Sequence, residues 1–196
     1  WRGWMLSVGL LLTLSASGSP QVPWDALALM ENLASVREVE STFTERRTSS
    51  FLISDVQLSG KLHYRAPDFI RKTVQIPYEQ ITTIRGDTVS IEKINTRGES
   101  TTRHYSLDAH ESLQSAVEGI RATLSGNYEY LQKSFEIEVT GSRESWSVML
   151  LPRDDAIRQQ IESIFIMGMD DAISSIDTTN TDGDESSLRL FYQNTR

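Results

Sequence analysis

Cysteine is absent from the 196 residues of this chain. The sequence therefore provides neither a disulfide framework nor a cysteine that could carry a lipid beside a cleavage site. An excess of positive charge is also absent, because 27 aspartates and glutamates outnumber 19 lysines and arginines and give a formal net charge of -8. No basic cluster is available to replace the counterions of a nucleic-acid backbone, so we expect no nucleic-acid partner.

Motifs for catalysis and metal binding are missing as well. No nucleophile elbow, phosphate loop or zinc signature occurs, and the histidines lack the spacing of metal ligands. The three histidines, which we interpret as solvated side chains, are His63, His104 and His110. The acidic stretch 177–185 does not fit an EF-hand, because alignment on Gly183 places Thr178 first and Arg189 twelfth. We expect a polar hairpin there, and a protein without catalytic activity, bound metal or cofactor.

No run of apolar residues after the N-terminus approaches the roughly 20 that a helix needs to span a bilayer. At the N-terminus itself, Arg2 precedes an apolar run over 4–14, and the small residues Ala16 and Gly18 follow. This pattern predicts a secretory signal peptide at residues 1–18, with a membrane anchor as the alternative. We expect residues 19–196 to form a single domain located in a bacterial-type periplasm.

The dominant pattern that is present is the alternation of apolar and polar residues between Thr42 and Tyr192. Such alternation places apolar side chains on one face of a strand, as in the runs 61–65, 134–140 and 187–192. It predicts an α+β fold built mainly of antiparallel strands. After a first strand that begins near Thr42, the strands are predicted at 57–65, 68–76, 79–85, 88–95, 99–105, 134–140, 144–151, 161–168, 172–178 and 186–193.

Helical spacing replaces the alternation in a few segments. Residues 24–40 form one predicted helix, and residues 108–124 form a second, with an apolar stripe that includes Leu113, Val117 and Ile120. A short helix is predicted at 154–160. The sheet therefore has an apolar face and amphipathic helices that can cover it.

Large apolar side chains are unusually dense in the segment 161–169. Two interpretations fit them. The side chains can fill a solid core, or they can line a cavity for acyl chains beneath the helices. The pattern does not separate these two alternatives.

The order of several short pieces resembles a known family, the outer-membrane lipoprotein carrier proteins (LolA-like), over about residues 24–194. The pieces that carry the resemblance are Phe43-Thr44-Glu45, the run 59–68, Ile76-Pro77, Arg85-Gly86-Asp87, Leu124-Ser125-Gly126, the run 146–152, Ile176-Asp177 and the run 190–194. The resemblance implies an unclosed, strongly curved half-barrel whose opening is covered by helices. It also implies an apolar cavity that receives the acyl chains of a lipoprotein or another lipid.

By the same resemblance, such a carrier takes its cargo from an inner-membrane transporter or exporter and delivers it to an outer-membrane acceptor. We expect it to act as a monomer. The strand alternation suggests as cavity walls Leu58, Leu62, Ile70, Val74, Ile84, Ile91 and Val148. The lid face is predicted to carry Leu113, Val117 and Ile120.

One position departs from the family. Its members carry an arginine that helps to hold the lid immediately before a proline, whereas here Ala66 precedes Pro67 and Arg65 lies one residue earlier. A shift of one residue along a strand turns a side chain to the opposite face, so we do not assign the lid-holding role to Arg65. A lipid-like cargo other than a lipoprotein therefore fits the sequence too.

Two alternatives to a carrier remain at this stage. The first is a structural or interaction module of the cell envelope whose sheet is packed solid. The second is a hydrolase that uses Asp154 and Asp155, but neighbouring residues of a helix point about 100° apart and make a poor acid and base pair.

Overall fold

Eleven antiparallel strands form one sheet in the computed structural model, which describes residues 24–49, 54–109 and 111–192. The strands are β1 (Glu38–Thr48), β2 (Val56–Arg65), β3 (Phe69–Ile76), β4 (Glu79–Arg85), β5 (Thr88–Ile94), β6 (Ser100–Ser106), β7 (Phe135–Ser142), β8 (Ser145–Pro152), β9 (Ile161–Met169), β10 (Ala172–Asn180) and β11 (Glu185–Phe191). Their order across the sheet is β6-β5-β4-β3-β2-β1-β11-β10-β9-β8-β7. The predicted unclosed, mainly antiparallel fold is confirmed.

The helices bridge the opening of this half-barrel. They are α1 (Ala26–Ala34), α2 (Glu111–Leu124), α3 (Tyr128–Ser134) and the single turn α4 (Asp155–Arg158), and a 3₁₀ turn at Leu107–Ala109 precedes α2. Strands β6 and β7 are the two edges of the sheet but follow each other in the chain. The segment between them, which contains α2 and α3, must therefore cross from one edge to the other. We call the sheet face that these helices cover the inner face.

The main core lies between the inner face and the helices. Its side chains come from α1, from α3 and from the strands on both sides of the position where β1 pairs with β11. Those with no exposed surface include Leu29, Met30, Leu131, Phe135, Val148, Leu150, Ile164 and Ile166. The start of α1 is capped by Asp25, whose carboxylate accepts a hydrogen bond of 2.9 Å from the backbone N–H of Ala28.

A close approach of α1 to the end of α2 requires a glycine. Gly126 has a φ of +66°, and a Cβ at this position would lie 2.1 Å from the carbonyl oxygen of Met30. Only a residue without a side chain fits both the left-handed backbone and the contact. The glycine at position 126 thus allows the two helices to pack this closely.

Two helix predictions need correction. The predicted helix 24–40 is wrong beyond Ala34, because Glu38 already pairs with Arg65 as the first residue of β1. Strand pairing over 38–41 outweighs the helical spacing of apolar residues there. Helix α3 was not predicted, since its seven residues make fewer than two turns. The predicted signal peptide at 1–18 lies outside the described residues.

Candidate functional site

All seven residues predicted to line a cavity lie on the inner face of the sheet. Directly paired residues of antiparallel strands point to the same side. Leu62, Lys72, Thr82, Ile91 and Arg103 are successive partners across β2 to β6. The neighbouring row consists of Val39, Tyr64, Ile70, Ile84, Val89 and Tyr105. We call this second set the apolar row.

The predicted wall residues belong to two different apolar clusters. Leu58, Val74 and Val148 are buried in the main core, and Leu62 packs against it. Ile84 and Ile91 instead border a smaller cluster, which contains Val89, Leu107 and Val117. Ile70 is half-buried within the apolar row. The inner face thus carries a filled side under α1 and α3 and a second apolar surface under α2.

Helix α2, the predicted lid, contacts both clusters. Val117 is buried in the smaller cluster, and Ile120 packs against the main core. Leu113 belongs to α2, but its side chain is outside the described part of the structure. Gly119 brings the helix close to β7, because a Cβ there would lie 3.0 Å from the ring of Phe135. The helix is therefore positioned directly over the inner face.

One polar contact fastens α2 to the hairpin between β4 and β5. The guanidinium group of Arg121 donates a hydrogen bond of 2.8 Å to the carbonyl oxygen of Gly86. The same side chain forms an ion pair of 3.1 Å with Glu118, one turn earlier on the helix. Both side chains are largely shielded from solvent, with exposed fractions of 15% and 19%. Sequence reasoning missed this contact, because Arg121 and Gly86 are far apart along the chain.

A mostly apolar cavity of about 290 Å³ opens beside the C-terminal ends of α1 and α2. Its lining residues are Leu33, Val36, Glu38, Val39, Leu124, Asp171, Ala172, Ile173 and Tyr192. The hydroxyl group of Tyr192 donates to the carbonyl oxygen of Ile173, and burial together with the nearby charge of Asp171 raises the pKa of Tyr192 to about 12. Pockets that enclose drug-sized ligands usually measure roughly 300–1,000 Å³, so this cavity is small.

An ionic cluster that the sequence did not predict is buried on the inner face. Glu45 is only 4% exposed, and its carboxylate accepts hydrogen bonds from Arg47 at 2.9 Å, from Ser186 at 2.8 Å and from Lys72. Burial alone would raise the pKa of Glu45, but the charges and hydrogen bonds of Lys72 and Arg47 outweigh it and hold the pKa below 4.5. Burial lowers the pKa of Lys72, and the Glu45 carboxylate opposes that fall. Charged side chains thus interrupt the predicted apolar wall.

Comparison with known families identifies the fold. The family described as outer membrane lipoprotein carrier protein LolA-like matches residues 17–191. The chain belongs to this family. LolA-like proteins are periplasmic carriers or binding proteins. Within the described residues of this LolA-like chain, no helix has the length and apolar character needed to cross a membrane.

Several solved structures are similar to this LolA-like chain at low identity. A LolA superfamily protein from Nitrosomonas europaea is 8% identical with a TM-score of 0.44, and the match covers 85% of this chain and 91% of that one. A chain in the MucA/MucB complex of Pseudomonas aeruginosa is 13% identical with a TM-score of 0.44. The match covers 84% of this chain and 55% of that one, so the chain spans about half of that protein. A putative outer membrane lipoprotein-sorting protein domain from Vibrio parahaemolyticus is 10% identical with a TM-score of 0.30, and the match covers 88% of this chain and 95% of that one. No curated protein matches the chain.

The arginine near the proline turn of this LolA-like protein points away from α2. Arg65 and its partner Phe69 are on the outer face, and the Arg65 guanidinium lies 5.0 Å from the centre of the Phe69 ring. Arg85 lies over the same ring at 5.3 Å. His63 also contacts the ring and is bonded to Glu38 at 2.8 Å, so it is less solvated than predicted. The position of Arg65 agrees with the expected effect of a one-residue shift.

Proposed function

We propose that this LolA-like chain is a periplasmic carrier that shelters the acyl chains of a lipoprotein or other lipid-like cargo between α2 and the inner face of the sheet. The observation that carries the proposal is the position of α2. This helix covers the apolar row of an unclosed sheet and crosses the opening between the two sheet edges. Membership of a family of carrier and binding proteins supports the same function.

The energetics of burial explain why the covered surface suits an acyl chain. Val117 and Leu107 shield Val89 and its neighbours from water. An acyl chain can replace these contacts, since each methylene group removed from water contributes roughly 0.8 kcal/mol. The cavity beside Tyr192 measures about 290 Å³, at the lower end of the usual range for ligand pockets. In this proposal α2 moves away from the sheet to admit the chain, and the described structure corresponds to the closed form.

The direction of transport and the partners complete the proposal. A carrier of this kind receives cargo from an inner-membrane transporter or exporter and gives it to an outer-membrane acceptor, and we propose that it does so as a monomer. The departure at Ala66 leaves a lipid other than a lipoprotein as a possible cargo, and the contact between Arg121 and Gly86 provides a different means of holding the lid.

Locking α2 to the sheet tests this proposal, and the absence of native cysteine makes the experiment direct. Cysteines replace Val89 and Val117, which share the smaller cluster. A matched control pair replaces Thr140 and Ser147, which face each other across β7 and β8 with their hydroxyl oxygens 2.7 Å apart. We expect oxidation to block the uptake of a fluorescent fatty acid by the lid pair and not by the control. Equal uptake by the oxidised and reduced lid pair contradicts the proposal.

A second function, an envelope interaction module, is favoured by one observation. The side chains of Val148, Leu150, Ile164 and Ile166 are fully buried, so much of the inner face is packed against the protein itself. Extraction of the purified protein followed by mass spectrometry distinguishes the two functions. A carrier releases bound lipid or takes up an added fatty acid, whereas a solid module does neither.

A further inference from the structure

The inner face carries an excess of positive charge that is unexpected in a chain with a net charge of -8. The pairing of β1 to β6 places four cationic side chains on this face, namely Arg47, Lys72, Lys93 and Arg103. Over the same strands, Glu45 is the one carboxylate that alternation places there. Four cations and one carboxylate leave this face of the six strands with a formal charge of +3.

The outer face of the same six strands shows that the excess is local. Its cations are Arg46, Lys61, Arg65, Arg71 and Arg85, and its carboxylates are Glu38, Glu40, Glu79 and Glu92. Positive and negative side chains are thus nearly balanced on the side that faces away from α2. The one-sided charge belongs to the surface that the lid covers or borders.

Two of the inner cations are available to bind a ligand. Glu45 already bonds to Lys72 and Arg47 within the buried cluster. Lys93 and Arg103 are exposed and have no ion pair within the described part of the chain. They lie on β5 and β6, beside the edge where the sheet opens.

Lys93 and Arg103 lie at the border of the apolar surface under α2. Arg103 pairs with Ile91, which borders the cluster of Val117, and Lys93 lies two residues further along β5. Arg103 lies in the row next to the apolar row, and Lys93 lies one row further from it. An acyl chain that starts over the apolar row and runs along β5 past Ile91 would place its polar end at these two side chains. Guanidinium and ammonium groups bind carboxylate and phosphate oxygens through charge-assisted hydrogen bonds.

We infer that the cargo is an anionic amphiphile whose carboxylate or phosphate headgroup binds Lys93 and Arg103 while its acyl chain lies under α2. This inference rests on the proposed carrier function, and it adds the charge of the cargo and the position of its headgroup. Because both side chains are exposed, salt weakens their attraction for the headgroup.

The test compares a fluorescent palmitic acid with its methyl ester, which has the same chain and no charge. Both probes are titrated into the wild-type protein and into a variant that combines Lys93→Gln with Arg103→Gln. A control variant combines Lys61→Gln with Arg71→Gln and removes the same charge from the outer face. We expect the Lys93/Arg103 variant to bind the acid roughly three- to tenfold more weakly and the ester unchanged, with no effect of the control on either probe.

The outcomes separate the inference from the function on which it rests. Equal affinity of the wild type for acid and ester overturns the headgroup site and leaves the carrier function standing. A preference for the acid that survives both substitutions overturns the assignment to Lys93 and Arg103. Binding of neither probe overturns both proposals. Inorganic phosphate that displaces the acid better than chloride at equal ionic strength overturns an amphiphile site in favour of a site for free anions.

Discussion

The ammonium group of Lys72 lies 5.0 Å from the centre of the Phe43 ring. From there it reaches the buried carboxylate of Glu45, two residues further along β1. Gly60, which pairs with both Phe43 and Val74, has no side chain between them. The aliphatic part of the lysine can therefore lie on the main core while its charge remains paired, a geometry that an exposed ion pair does not have.

Replacing Lys72 with methionine keeps a long apolar side chain and removes the charge. We expect the free energy of unfolding to fall by about 2 kcal/mol, because Glu45 stays buried with one cationic partner fewer. Unfolding in urea measures the change. Lys61→Met, on the exposed outer face of β2, should change the stability by less than about 0.5 kcal/mol. Equal stability of the two variants would show that Lys72 does not stabilise the buried carboxylate.

The ionic cluster also predicts a pH dependence. The pKa of Glu45 in the folded protein is below 4.5, its ordinary value, so the unfolded chain takes up a proton at higher pH than the folded one. The stabilisation is complete above the ordinary pKa and is lost as the pH falls through the lower folded value. We expect Glu45→Gln to remove this part of the acid sensitivity, as seen in urea midpoints between neutral and acidic pH. Parallel pH profiles of the wild type and the variant would contradict the assignment.

The strands, and the residues that share a face of each strand, could be predicted from sequence because both depend on local alternation. Leu62 and Ile91 lie on the same face, although two strands, β3 and β4, separate β2 from β5 in the sheet. The alternation in each strand shows which of its sides is apolar, and the need to bury these sides turns them all to the same face of the sheet. The end of α1 could not be predicted in this way, since the pairing of Glu38 with Arg65 depends on contacts outside the local sequence.

The polar contacts of the site could not be predicted from sequence for a different reason. Glu45 alternates with Phe43 on β1, so the pattern shows that they share a face but not that a lysine 27 residues later reaches the carboxylate. Arg121 is three residues from Glu118 and resembles an ordinary ion pair on a helix surface. Its bond to Gly86 exists only because the chain crosses the half-barrel between β6 and β7.

Placing a charge on the lid face should impair cargo uptake. Val117 is 8% exposed, and a glutamate in its place would bury a carboxylate among apolar side chains or force α2 away from the sheet. We expect Val117→Glu to reduce the affinity for a fluorescent fatty acid by about tenfold or more. Gln132→Glu, which adds the same charge on an exposed position of α3, should have no such effect. Unchanged uptake by a folded Val117→Glu protein would count against α2 as the lid.

The contact between Arg121 and Gly86 should set how easily α2 opens. Arg121→Ala removes a charge-assisted hydrogen bond to a backbone carbonyl, so the closed form should lose about 1 kcal/mol and the open population should rise roughly fivefold. Hydrogen exchange of the α2 amides should then be faster, and so should the uptake of a fatty acid. Arg97→Ala, in the exposed turn between β5 and β6, serves as the control and should leave both rates unchanged. Faster exchange without faster uptake would mean that α2 loosens but does not gate the inner face, because a lid must couple the two rates.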